Sequence, residues 1–134
     1  MLKRFVYQVV WSLLAVCTAF PVAVQERSAD WSRCENVLSP NVQIGGCTAV
    51  IQSGRETAAD RAVAHNIRGV AYRDKGDLDR AIADFSEAIR LNPFLASAYR
   101  ERGIAYRAKG DHRRAVADQE VAIRLDPTYG AVNK

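Results

Sequence analysis

The stretch GDLDRAIADFSEAIRLNP begins at Gly76, and GDHRRAVADQEVAIRLDP begins at Gly110, 34 positions later. Aligned without a gap, residues 62–95 and 96–129 are identical at 19 of 34 positions. Self-similarity at a fixed period restricts the fold to a repeat architecture, in which each unit is one supersecondary element stacked on its neighbour. Within the unit the apolar residues follow helical spacing: Ala81, Ile82, Phe85, Ala88 and Ile89 share one face. Upstream, Ala64, Arg68, Ala71, Tyr72 and Lys75 lead to Gly76, which can take the left-handed conformation that ends a helix, and Asp77 can cap the next one. Pro93 closes the unit, because proline disfavours helix in the residue before it. Gly110, Asp111 and Pro127 repeat the punctuation. The expected fold class is therefore all-α, a short solenoid of antiparallel helix hairpins.

These units resemble tetratricopeptide repeats, whose period is also 34. With Ala62 and Ala96 as first positions, the family's small eighth residue is Gly69 and Gly103, and its aromatic eleventh is Tyr72 and Tyr106. Its alanine at twenty is Ala81 and Ala115, its alanine at twenty-seven is Ala88 and Ala122, and its proline at thirty-two is Pro93 and Pro127. Two departures stand out: Arg68 and Arg102 replace the usual leucine at seven, and Gln119 takes the place of Phe85. The resemblance covers residues 62–129. It implies that the first helices of successive units line a concave, peptide-binding groove through Val63, Asn66, Val70 and Arg73, then Ser97, Arg100, Ile104 and Arg107. Arg73, Arg100 and Arg107 around an apolar floor of Val70 and Ile104, with Asn66 beside them, suit an acidic peptide or protein partner. Each arginine taken singly also fits a solvated helix face.

One hairpin cannot bury its own apolar face, and about three are needed for stability. Residues 28–56 fit a degenerate first hairpin. Asp30 is expected to cap a short helix with Trp31, Cys34 and Leu38 on one face, "SPN" to turn the chain, and a second helix to align Ile44, Cys47 and Ile51 before ending at Gly54. Cys34 and Cys47 stand 13 apart, as do Tyr72 and Phe85, so they occupy the two slots that face each other in the repeats. The offset to the next unit is 38, four beyond the period, which predicts an extra helical turn started by Thr57 and Asp60 as a capping box.

The N-terminus reads differently. A basic MLKR is followed by the apolar run FVYQVVWSLLAVCTAF, the layout of a secretory signal peptide. Neither cleavage site, before Phe20 or after Val24, is cleanly written, so an uncleaved membrane anchor through residues 5–20 stays open beside it. Export to the periplasm is the expectation. In that compartment two cysteines on facing helices should form a Cys34–Cys47 disulfide rather than remain free thiols. The resulting division is 1–24 signal peptide or anchor, 25–61 cysteine-containing hairpin, 62–95 and 96–129 the two repeats, and 130–134 a tail.

Composition excludes several classes of function. Lys3 and Arg4 supply two of the four net positive charges, and the remainder is too evenly mixed with acids for nucleic-acid binding. His65 and His112 have no nucleophile or carboxylate placed beside them by a motif, no CxxC or HxxxH spacing exists, and the glycines of RGVAYRDKG punctuate helices. No enzyme, metal or cofactor is expected. A binding module of the cell envelope is the leading expectation. The alternative is a self-associating structural protein that docks through the edge of its last repeat, since only TYGAVNK follows Pro127.

Overall fold

The computed structural model describes residues 28–133, and among them all regular structure is helical. Six helices follow in order: α1 (Ala29–Cys34), α2 (Pro40–Gln52), α3 (Ala58–Asp74), α4 (Leu78–Leu91), α5 (Ala96–Ala108) and α6 (His112–Leu125). A 3-10 turn, Pro127–Asn133, ends the described chain. Consecutive helices pair into three hairpins, α1–α2, α3–α4 and α5–α6. Each hairpin packs on the next through α2 against α3 and α4 against α5, and the first helices α3 and α5 also touch. The signal-peptide and anchor expectations for residues 1–24 lie outside the described residues.

Sequence punctuation explains the repeated turns. Gly76 and Gly110 have φ of +81° and +83°, which a side chain would strain. The amide of Asp77 reaches the carbonyl of Tyr72 (2.9 Å) and that of Gly76 reaches Arg73 (2.8 Å), the paired bonds of a Schellman ending. Asp111 and Gly110 repeat both bonds onto Tyr106 and Arg107. The Asp77 and Asp111 carboxylates then accept from the amides of Arg80 (3.1 Å) and Arg114 (3.0 Å), starting α4 and α6. Arg80 and Arg114 lie over the rings of Tyr72 and Tyr106 at 4.5 and 4.4 Å, so each turn also carries a cation–π contact.

Small residues set the spacing between helices. Ala81, Ala88, Ala115 and Ala122 are buried at the contact positions. A Cβ built on Gly69 would lie 2.6 Å from the Phe85 ring, so this glycine is where the ring seats. Two cores result. Trp31, Cys34, Cys47 and Val50 pack with Ala64, while Ala81 and Phe85 pack with Ala105, flanked by Val70, Tyr72 and Ile82.

The four extra residues lengthen α3 at its start. It runs 17 residues against 13 for α5, and Thr57 caps it by accepting from the Asp60 amide at 3.1 Å. The Thr57 hydroxyl in turn donates to the Asp60 carboxylate at 2.6 Å, so the reciprocal bond uses the hydroxyl rather than the Thr57 backbone N–H.

The first hairpin corrects four expectations. Ser28, not Asp30, caps α1: its hydroxyl accepts from the Trp31 amide, while Asp30 sits in the first turn and pairs with Arg33. Leu38 is 90% exposed, because α1 stops at Cys34 and the Asn36 side chain accepts from the Leu38 amide (3.0 Å), pulling that residue into a loop. "SPN" starts α2 rather than turning the chain, since Ser39 caps the helix and Pro40 occupies its first position, where a missing N–H costs nothing. The buried face of α2 is Gln43, Gly46, Cys47 and Val50, with Ile44 and Ile51 half-buried at its margins. Gly46 fixes that rotation: a Cβ there would stand 2.4 Å from the Cys34 backbone nitrogen. That close approach leaves the Cα atoms of Cys34 and Cys47 4.3 Å apart, with their sulfurs at bonding distance, 1.98 Å, as the spacing anticipates.

Candidate functional site

The departure at position seven has a structural partner. Arg68 donates to both oxygens of Asp84 through Nε (2.8 Å) and Nη2 (2.7 Å), and its Nη1 reaches Thr48 Oγ1 at 3.0 Å on the preceding hairpin. Arg102 repeats this with Asp118 (2.7 and 2.8 Å) and with Ser86 Oγ at 3.1 Å. His65 adds a contact to Asp84 through Nδ1 at 2.9 Å. Burial pushes the Asp84 carboxyl up, but hydrogen bonds from Arg68 and His65 outweigh it and hold it below the ordinary carboxylate range. The same bonds raise Arg68, and the bond to Asp118 raises Arg102. Sites that carry leucine in the family thus hold paired, hydrogen-bonded charges bridging one hairpin to the next.

The six proposed groove residues all lie on α3 and α5. Asn66 donates to Ser97 Oγ across the two helices (3.4 Å), while its buried Oδ1 has no partner among the described residues. Val63 packs on the first core and Val70 on the Phe85 core, so Val70 belongs to the packing more than to an open floor. Arg73 and Arg100 are not free guanidiniums. Both pair with Glu101, Arg100 at 2.6 Å, and Arg73 pairs also with Asp74 at 3.0 Å. The expected cluster of three unneutralised arginines is corrected accordingly: a carboxylate of α5 itself lies between two of them. Arg107 differs. Among the described residues its only polar side-chain partner is neutral, Gln119 Oε1 at 2.7 Å.

Arg100, Ile104 and Arg107 come together on one side of a cleft of about 600 Å³. Gly103, Gln119 and Tyr129 of the 3-10 turn also line it, with the Arg100 guanidinium 5.5 Å from the Tyr129 ring centre. Ile104 is 37% exposed there. Glu101, Asp84 and Asp118 escape attention in the sequence, although the Arg–Asp spacing of 16 recurs in both units and is a readable signal. Glu101 gives no such signal, because its counterpart in the first unit is Ile67. No described group of three or more His, Cys, Asp or Glu side chains is arranged to hold a metal ion, and no described helix is long and apolar enough to cross a membrane.

Comparison with known proteins agrees with the geometry. Family models described as "TPR repeat" and "Tetratricopeptide repeat" match residues 69–110 and 96–129. Among solved structures, the crystal structure of MamA is similar, with a TM-score of 0.58 and 30% identity over 66% of this chain. The match spans about half, 49%, of that structure's own length. No curated protein sequence matches. By repeat length, residue pattern and helix pairing, residues 69–129 of this chain are tetratricopeptide repeats.

Proposed function

We propose that this chain is a non-enzymatic adaptor or assembly factor of the cell envelope that holds a protein partner along α3 and α5. The observation that carries this is the juxtaposition of the two first helices. The Asn66–Ser97 and Arg73–Glu101 contacts join them side by side, and Arg100, Ile104 and Arg107 border an open cleft on the same face. The apolar run behind a basic start, together with a cysteine pair at bonding distance, favours export. A partner should be captured from envelope extract and its affinity then measured for Arg100→Ala with Arg107→Ala, after circular dichroism shows that the fold survives. Weaker binding, with a shallower salt dependence than the parent's, supports the groove. Unchanged affinity shows that these arginines form only a solvated face. A reporter fused after residue 60 tests export, and activity confined to the cytoplasm refutes it.

A second reading has its own observation. Ile82 packs against the second core, whereas its counterpart Val116, 34 residues later, is 52% exposed on α6. An uncovered repeat edge suits docking of another copy. A mass that rises with protein concentration favours self-association, and a concentration-independent monomer rules it out.

A further inference from the structure

The two repeats differ at the core position of Phe85 and Gln119, and the cleft lies at that difference. In the first repeat the Phe85 ring sits against Gly69 and clusters with Ala81 and with Ala105 of the next hairpin. In the second, Gln119 takes that position and its amide oxygen turns outward to Arg107. A Cβ on Gly103 would first meet the Ala115 carbonyl at 3.1 Å, Asp118 Cβ at 3.4 Å and the Gln119 backbone amide nitrogen at 3.7 Å. Gly103 and Ala115, the counterparts of Gly69 and Ala81, instead line the cleft of about 600 Å³, together with Ala122. The second repeat keeps a glycine seat and small walls for an aromatic ring but supplies no ring of its own.

The charges at its mouth narrow what can enter. Arg107 meets no carboxylate among the described residues, and Arg100 shares the single carboxylate of Glu101 with Arg73. The lining therefore carries net positive charge beside the apolar side chains of Ile104, Ala115 and Ala122. We propose that this cleft is a socket for an aromatic side chain of a partner protein, one flanked in its sequence by acidic residues whose carboxylates pair with Arg107 and Arg100. The proposal rests on the groove reading above and assigns it a recognition element: the partner inserts in trans the ring that Phe85 provides in cis.

The test uses the full chain purified in mild detergent and three short synthetic peptides with blocked ends. One has a phenylalanine flanked by glutamates, the second has alanine for the phenylalanine, and the third has glutamines for the glutamates. The Glu–Phe peptide should bind at least about tenfold tighter than either of the others, as expected for loss of a buried ring or of charge-assisted bonds. Gln119→Phe should fill the socket, raise the melting midpoint and remove the preference for phenylalanine over alanine. Arg107→Ala, at an exposed position with little effect on folding, should remove the preference for glutamate over glutamine. Equal binding of the three peptides to the parent, or full discrimination kept by both variants, overturns the proposal. The captured partner separates the two levels. If it loses affinity for Arg100→Ala with Arg107→Ala but binds Gln119→Phe as tightly as the parent, the groove stands and the socket falls. If it binds both variants like the parent, both fall.

Discussion

Replacing Asp84 by alanine removes the acceptor of two guanidinium bonds, at 2.7 and 2.8 Å, and of the His65 contact at 2.9 Å. The side chains of Arg68 and Asp84 are only 18% and 7% exposed, so the stranded guanidinium recovers little water. Breaking a buried pair in this way costs about 3–5 kcal/mol. The residual exposure of Arg68 and its surviving bond to Thr48 place the expected loss near the lower end, about 3 kcal/mol. Putting back the family's leucine at the same time, Arg68→Leu with Asp84→Ala, removes both charges and should come within about 1 kcal/mol of the parent, because an apolar pair can replace a buried ion pair almost neutrally. Urea unfolding of an oxidised chain beginning at residue 28, followed by circular dichroism, measures both. The single variant must be much worse than the double. A loss below about 1 kcal/mol for Asp84→Ala, or a double variant as unstable as the single, would refute the assignment of this pair as a mutually dependent buried unit. The pH dependence has a definite sign. The folded-state pKa of Asp84 is depressed, so its contribution is complete above the usual carboxylate value of about 4 and is lost as pH falls through the lower folded value. The stability gap between parent and Asp84→Asn should accordingly narrow as pH falls below the usual carboxylate value of about 4.

Thiol titration of the oxidised, unfolded chain beginning at residue 28 should find no free cysteine, and two free thiols would exclude the Cys34–Cys47 bond. With that bond formed, Cys34→Ser should cost roughly 3 kcal/mol of stability, the loop-closure entropy for a separation of 13 residues. Ala81→Leu, at a fully buried helix contact clustered with Phe85, should overpack the junction and cost about 1–3 kcal/mol in the same unfolding assay, and a neutral result would mean that the register is misassigned.

The repeats were legible because their signals are local. Gly76 and Asp77 carry their turn and cap wherever they stand, and a 34-residue period multiplies each signal by two. The first hairpin was legible only in outline. Its cysteine spacing identified the facing slots, but the helix rotation depends on Gly46 meeting the Cys34 backbone, a contact that no periodicity encodes. Ser28 caps the first helix in place of Asp30, and Ser39 of the SPN expected to turn the chain caps the second, since a short hydroxyl at the cap position reaches the free amides directly. At the groove, position numbers placed Arg100, Ile104 and Arg107 on one face. They could not show that Glu101, one residue along the helix, turns back to occupy two of the guanidiniums.

Both apolar clusters extend from one hairpin across the junction to the next. The first joins Trp31, Cys34, Cys47 and Val50 to Ala64 of α3, and the second joins Phe85 of α4 to Ala105 of α5. Arg68 and Arg102 reach back over the same two boundaries to Thr48 and Ser86. In a linear array of units, this adds nearest-neighbour coupling to the packing inside each hairpin, so that neighbouring units support one another. Amide protons of α3 and α5 should therefore exchange together, through opening of the whole array rather than by melting one hairpin at a time.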